Sequence, residues 1–140
     1  MTTLKPGDHA TKELLLSKED VVRMAAELGD PNPLHHHDEK AARSRFGGLI
    51  AAGGHVIGLL TSFGAAFTTA HGPCVGLEFS FQLRGAVPAG TALRMRWEVL
   101  AVEWSERMRG QIVSLAGEAR DGDGELLVRA TGKVLARDDL

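Results

Sequence analysis

Asp30, Asn32, His35, His36, His37 and Asp38 crowd into one short stretch that also carries Pro31 and Pro33. Two prolines one residue apart exclude helix and stiffen the loop. A carboxylate and an imidazole on such a loop can share one water molecule, with His35 accepting a proton while Asp30 orients the water or handles a second proton. Asn32, between them, can fix either partner by hydrogen bonding. The plainer reading is that Asp30 and Asn32 cap turns and that the histidines stand solvated at a helix start. Residue types alone leave these readings level.

A second feature follows in the run Gly47-Gly48-Leu49-Ile50-Ala51-Ala52-Gly53-Gly54. It delivers the N-terminus of an apolar helix, where unpaired backbone N–H groups and the helix dipole favour negative charge. Gly53 is the leading donor for an oxygen that develops negative charge, because no side chain blocks approach to its N–H. Helix packing alone would also account for these glycines. His35-His36-His37-Asp38 has ligand types that suit zinc or iron, but adjacent side chains point in different directions, so no metal site is expected. Cys74 is expected to be a small buried hydrophobe, and His55 and His71 to lie at helix surfaces or ends. Arg43 and Arg45 fit either phosphate contacts or a solvated helix face.

The elements that must position these groups can be read from periodicity. Gly7 to Leu16 reads as an opening strand, and Ser17 with Asp20 resembles a capping box. The stripe Val21, Met24, Ala25, Leu28 makes a short helix that Gly29 ends. Asp38 to Arg45 reads as a short polar helix. From Phe46 to Leu77 no Asp, Glu, Lys or Arg occurs. Eight glycines, two histidines and several hydroxyls dilute that stretch too far for a membrane span, so it predicts a helix from about Ala51 to Ala70, surrounded by protein on most sides and stopped by Gly72-Pro73. Gly53, Gly54, Gly58, Gly64, Ala65 and Ala66 would let a sheet approach it closely.

Alternation then takes over. Val75, Leu77, Phe79, Phe81 and Leu83 form the apolar face of one strand, and Pro88-Ala89-Gly90 turns the chain. Leu93, Met95, Trp97 and Val99 form the next, with a bulge at Leu100-Ala101-Val102 and a turn over Trp104 to Arg109. Val113, Leu115, Gly117 and Ala119 follow, then the hairpin signal Asp121-Gly122-Asp123-Gly124 and a last strand from Glu125 to Ala136. Four consecutive strands with hairpin connections, curved around one long buried central helix, make an α+β fold with an antiparallel sheet.

Composition narrows the function classes. The 140 residues are expected to form a single domain over residues 1–140 that buries roughly two-thirds of its unfolded surface. Sixteen Lys and Arg against eighteen Asp and Glu give a formal charge of −2, so there is no basic field for nucleic acid or an anionic membrane. The single cysteine excludes an internal disulfide and a zinc ribbon, and the start of the chain lacks the pattern of a signal peptide. A cytoplasmic address is expected. With no tyrosine, no phenol takes part as acid or base.

Gly29-Asp30-Pro31-Asn32-Pro33-Leu34-His35, then Ala41, then Arg45-Phe46-Gly47-Gly48-Leu49-Ile50-Ala51 and Gly53, resembles the hydratase signature of the MaoC-like hot-dog proteins, the (R)-specific enoyl-CoA hydratases and acyl dehydratases. His35 lies five positions after Asp30, and Phe46 eleven after His35, as in that signature. Leu77 to Phe81 with Val87 to Gly90 resembles its first hairpin. The resemblance implies a hot-dog fold and reversible syn hydration of a trans-2-enoyl-CoA to an (R)-3-hydroxyacyl-CoA. Asp30 and His35 would activate water, Asn32 would orient the site, and the Gly53 N–H would form the oxyanion hole. It further implies a coenzyme A thioester as substrate, no cofactor and no metal. The chain departs from the signature at His37, where an acidic residue is usual, at Leu28, where a small polar residue is common, and at Ala52, with a histidine at His55 instead. Two other activities fit the same frame: an acyl-CoA thioesterase attacking the carbonyl, and a non-catalytic acyl-CoA-binding partner subunit. A homodimer is expected from the half-wet sheet and open edges, with an acyl tunnel beside the buried helix near the subunit boundary.

Overall fold

The computed structural model describes residues 1–140. Its elements run β1 (His9–Leu15), α1 (Lys18–Glu27), a 3-10 turn (Pro33–His35), α2 (Asp38–Arg43), α3 (Gly53–Thr69), β2 (Cys74–Leu83), β3 (Ala92–Ser105), β4 (Gly110–Arg120) and β5 (Leu126–Ala136). The five strands make one antiparallel sheet in the order β1-β3-β4-β5-β2. Helix α3 packs against β2, β3 and β4. The α+β class and the single long helix against the sheet agree with the sequence reading.

Local signals account for most boundaries. The Ser17 hydroxyl accepts the Asp20 N–H and caps α1, and Gly29 leaves that helix at φ 73°, a region open to glycine. The pairing of β3 with β4 shifts between Val99 and Ala101, where the broken alternation predicts a bulge. Strand β3 runs on to Ser105, so the turn begins later than expected. At the β4–β5 turn the Asp121 carboxylate accepts the N–H groups of Asp123 and Glu125, and Gly124 stands at φ 82°. In α3 the hydroxyls of Thr61, Thr68 and Thr69 bond back to the carbonyls of Ile57, Gly64 and Ala65. That satisfies polar groups in a segment with no charge to place in water.

Three expectations need correction. Strands β2 and β3 are not a hairpin: β2 crosses to pair with β5 at the far edge, with Phe79 opposite Gly132 and Leu83 opposite Val128. Alternation shows which face of a strand is apolar, not which neighbour it chooses. The apolar set of β2 is also not uniformly covered, because a register shift between Gly76 and Glu78 puts Leu77 out of phase and Val75, Leu77 and Leu83 are exposed. Finally, α3 is not enclosed on most sides. Gly54, Gly58, Ser62, Ala65, Ala66 and Thr69 form an exposed stripe, so of the small residues on this helix it is Gly64, with Gly53, that serves close approach.

At Gly64 the approach is to Trp97. This side chain is fully buried and its indole N–H donates to the Leu60 carbonyl at 2.8 Å. An added Cβ at Gly64 would lie 2.9 Å from the indole nitrogen, and one at Gly117 would lie 2.6 to 2.8 Å from three ring carbons. The indole therefore fills the space between the backbones of α3 and β4. Phe79 meets it edge-on at 6.0 Å and lies across Gly132, where a Cβ would come within 2.6 Å of the ring. Pinned by its hydrogen bond, Trp97 cannot retreat. Gly117→Ala is therefore expected to destabilise the chain by about 1–3 kcal/mol through overpacking, read as a lower urea midpoint at unchanged m-value.

Candidate functional site

The Asp30 loop is held by its own backbone. Asp30 N–H donates to the Ala25 carbonyl as the chain leaves α1. The Asp30 carboxylate accepts the Asn32 N–H at 3.0 Å, the Asn32 side-chain oxygen accepts the Leu34 N–H at 3.0 Å, and the His35 N–H reaches the Asn32 carbonyl. These Asx-type bonds are why an Asp-Pro-Asn-Pro sequence makes a rigid turn. Asp30 and Asn32 do cap turns, and the same turn carries His35 inward.

His35 is buried. Its Nδ1 lies 2.7 Å from the Ile50 carbonyl oxygen, which can only accept, so Nδ1 carries hydrogen. In the neutral ring Nε2 is then the bare nitrogen, and it faces the Asp30 Oδ2 at 3.3 Å. A proton taken up by Nε2 meets a carboxylate at once. The three consecutive histidines part company: His36 Nε2 lies 2.6 Å from the Asp30 carbonyl oxygen, while His37 is exposed at the start of α2 with no side-chain capping bond.

Ile50 belongs to a short extended stretch that leads into α3. Its N–H donates to the Leu34 carbonyl, the Ala51 N–H to the Val87 carbonyl, and the Ala89 N–H to the Leu49 carbonyl. This stitching fixes where α3 begins relative to His35. The first amides of α3 to find acceptors are those of His55 and Val56, both bonded to the Ala52 carbonyl, and no side chain caps the helix. The Gly53 N–H is therefore an unpaired donor at the positive end of the helix dipole. A Cβ at Gly53 would lie 3.1 Å from Leu83.

Asp30, Asn32, His35 and Gly53 all line one cavity of about 560 Å³, within the range of small-molecule sites. Its inner wall is Val56 and Val128, and Arg45, Phe46 and Arg84 also border it. Arg45 lies over the Phe46 ring at 5.6 Å. Neither Arg45 nor Arg84 pairs with a carboxylate, and Arg43 does not line the cavity. The cavity reaches along α3 only as far as Val56, so the expected tunnel beside the helix is a shallow pocket at its first turn. Residues 83–87 and the Ile50 carbonyl were not legible as site components. Nothing in their types marks them, since they arrive through the β2–β5 pairing and through backbone bonds.

The chain matches the family model described as MaoC like domain over residues 3–118. It belongs to the MaoC-like family. A 3-hydroxybutyryl-CoA dehydratase of Methylorubrum extorquens is 32% identical over 121 residues, covering 84% of this chain and 75% of the relative. An uncharacterized protein of Bacillus subtilis, YdeM, is 49% identical over 43 residues, which cover 31% of this chain and 30% of that protein. Among solved structures, the unliganded R-hydratase PhaJ1 from Pseudomonas aeruginosa superposes with a TM-score of 0.81 at 26% identity, covering 96% of this chain and 83% of that one. The (R)-hydratase of A. caviae does so with 0.83 at 24% identity, covering 96% and 98%. The fold of this MaoC-like chain is therefore the hot-dog fold. No helix is long and apolar enough to cross a membrane.

His55 lies at a helix end, in the first turn of α3. It is buried against α1 rather than placed on a helix surface, and its Nδ1 has no hydrogen-bond partner. Burial pushes its pKa below the ordinary imidazole value; the Asp20 carboxylate opposes the shift and the Arg23 guanidinium adds to it. The unfolded chain therefore binds a proton here more readily than the folded one, and stability falls as pH drops below the unfolded value of about 6.5. Melting temperature is expected to decline between about pH 7 and 5, and His55→Gln is expected to flatten that decline. An identical slope in the variant would show that His55 does not carry it.

Proposed function

We propose that this MaoC-like chain is a hydro-lyase that adds water reversibly to a trans-2-enoyl-CoA, giving the (R)-3-hydroxyacyl-CoA. The observation that carries this is the His35 Nε2 to Asp30 Oδ2 approach of 3.3 Å in the same cavity as the Gly53 amide. The name of the Methylorubrum relative, a 3-hydroxybutyryl-CoA dehydratase, supports the same chemistry, which runs in either direction.

Neutral His35 takes a proton from water at Nε2, and the Asp30 carboxylate stabilises the imidazolium formed. The hydroxide adds to the β-carbon of the enoyl group. Electron density moves onto the thioester oxygen, which the Gly53 N–H and the helix dipole stabilise as an enolate. The proton held at Nε2 then passes to the α-carbon. One water supplies both new bonds, added from one face, and the double bond is consumed. Asn32 keeps the loop in register through its bond to the Leu34 amide. The carbon skeleton and the redox state are unchanged, so the reaction calls for no redox cofactor, and in this scheme the charge on the thioester oxygen is met by the Gly53 amide.

A thioesterase would need the water beside the carbonyl carbon. The His35–Asp30 pair supplies two proton-handling groups, which suits addition to a double bond and its reverse. We further infer a homodimer. Val75, Leu77 and Leu83 are 45%, 41% and 55% exposed on β2, an edge strand with an open row of backbone donors and acceptors. A second copy pairing there would cover them.

The test is loss of enoyl absorbance on mixing the chain with trans-2-butenoyl-CoA. Asp30→Asn and His35→Ala are each expected to lower kcat by about 10²-fold or more, with circular dichroism unchanged. Release of free coenzyme A thiol in place of hydration would assign the chain to the thioesterases.

A further inference from the structure

The hydratase reading leaves open how much acyl chain the site accepts, and the packing behind Val56 bears on that question. The cavity runs from exposed Arg45, Phe46 and Arg84 to buried Val56 and Val128. The carrier portion of a thioester leaves by the exposed side, so the acyl tail points at the buried wall.

Behind the wall the core is full. Val56, Leu60 and Gly64 follow one another at four-residue spacing on α3, so they share the helix face that meets the sheet. On β5, Val128 is followed by Ala130, opposite Phe81 and Gly117, and Gly117 lies opposite Trp97. Leu60 and Trp97 are fully buried. Trp97 is wedged between Gly64 and Gly117, each too close to its ring to accept a Cβ without something shifting. Phe79 meets the indole edge-on at 6.0 Å and stacks on Phe81 at 6.3 Å. The indole hydrogen bond to the Leu60 carbonyl ties this aromatic block to the helix, so an incoming alkyl chain would have to break a buried hydrogen bond as well as displace a ring.

The helix rise of about 1.5 Å per residue places Val56 only about 4.5 Å along the axis from Gly53. With a carbon–carbon bond of about 1.5 Å, an extended chain advances about 1.3 Å per carbon, so the wall stands about three carbons beyond a thioester held at Gly53. We propose that the wall of Val56 and Val128, kept from yielding by the Trp97, Phe79 and Phe81 block packed farther along α3 and the sheet, is the specificity element of this site, limiting substrates to enoyl thioesters of about four carbons.

The test compares the 140-residue chain on trans-2-butenoyl-CoA and trans-2-octenoyl-CoA. The octenoyl thioester is expected to show kcat/KM at least about ten-fold lower; a smaller fall, or a rise, overturns the proposal. Calorimetric binding of saturated butyryl-CoA and octanoyl-CoA separates this result from the hydratase reading. Octanoyl-CoA is expected to bind no more tightly than butyryl-CoA, because its extra methylenes find no apolar pocket; tighter binding overturns the length limit. Absence of turnover on both enoyl thioesters, with that binding pattern intact, removes the hydratase reading and leaves the limit standing. Trp97→Leu should raise the octenoyl-to-butenoyl ratio of kcat/KM at least about five-fold, and so should Phe81→Ala, which removes a half-buried ring from an edge strand and serves if Trp97→Leu does not fold. An unchanged ratio in the folded variants overturns the assignment to these rings.

Discussion

The contact between His35 Nδ1 and the Ile50 carbonyl, 2.7 Å in a partly buried setting, holds the candidate site together in two senses. Chemically, it puts the ring hydrogen on Nδ1 and leaves Nε2 as the nitrogen with a free lone pair, facing Asp30. Mechanically, it joins the proline-bearing turn after α1 to the stretch that opens α3. A proton-handling pair and an oxyanion donor are of use together only if their separation is fixed. Here both sit within a few residues of one backbone carbonyl, which the Leu34–Ile50 and Ala51–Val87 bonds hold in turn. The His35 side of that bond is buried, so breaking it would leave the ring N–H without a partner away from water.

From that junction the division of the molecule follows. The groups assigned to the chemistry sit at the N-terminal end of α3, and the helix face toward the sheet beyond Val56 is closed core around Leu60, Gly64 and Phe67. The glycines mark the division. Gly53 is open to the cavity and its missing side chain lets Leu83 approach, whereas Gly64 and Gly117 give up their side chains to admit Trp97. One residue type serves access in the first place and exclusion in the other two. A helix that is apolar nearly all round can carry a site only where its amides are free, and that is its first turn.

Sequence revealed those features that a local rule governs. The Ser17 cap, the Gly29 exit, the bulge beyond Val99 and the Asp121 turn each follow from a few adjacent residues, and so does the Asp30 to His35 turn, whose spacing fixes which side chains can meet. Partner choice was not legible: strand β2 alternates like a hairpin arm, yet it crosses the sheet to β5 because nothing in its alternation specifies a neighbour. For the same reason residues 83–87 could not be placed beside Asp30. The helix-end position of His55 was legible, but its burial was not, because that depends on α1 docking over it. The exposed stripe from Gly54 to Thr69 was misread because small residues serve a buried interface and a bare one equally well.

The bare surfaces bear on the site as well as on assembly. Leu83 is both the most exposed apolar residue of β2 and a wall of the cavity, in contact distance of the place where a Gly53 side chain would be. If β2 pairs with a second copy, as proposed, the same event that removes its edge from water also covers the flank of the cavity nearest the oxyanion donor. Excluding water there strengthens the interaction between the Gly53 amide and a developing enolate, since both lie in a medium of lower effective dielectric. On this reading, assembly contributes to catalysis through the dielectric around one amide, without the partner supplying a reactive group. On the proposed dimer, Leu83, exposed on the isolated chain, would be buried only in the assembled state.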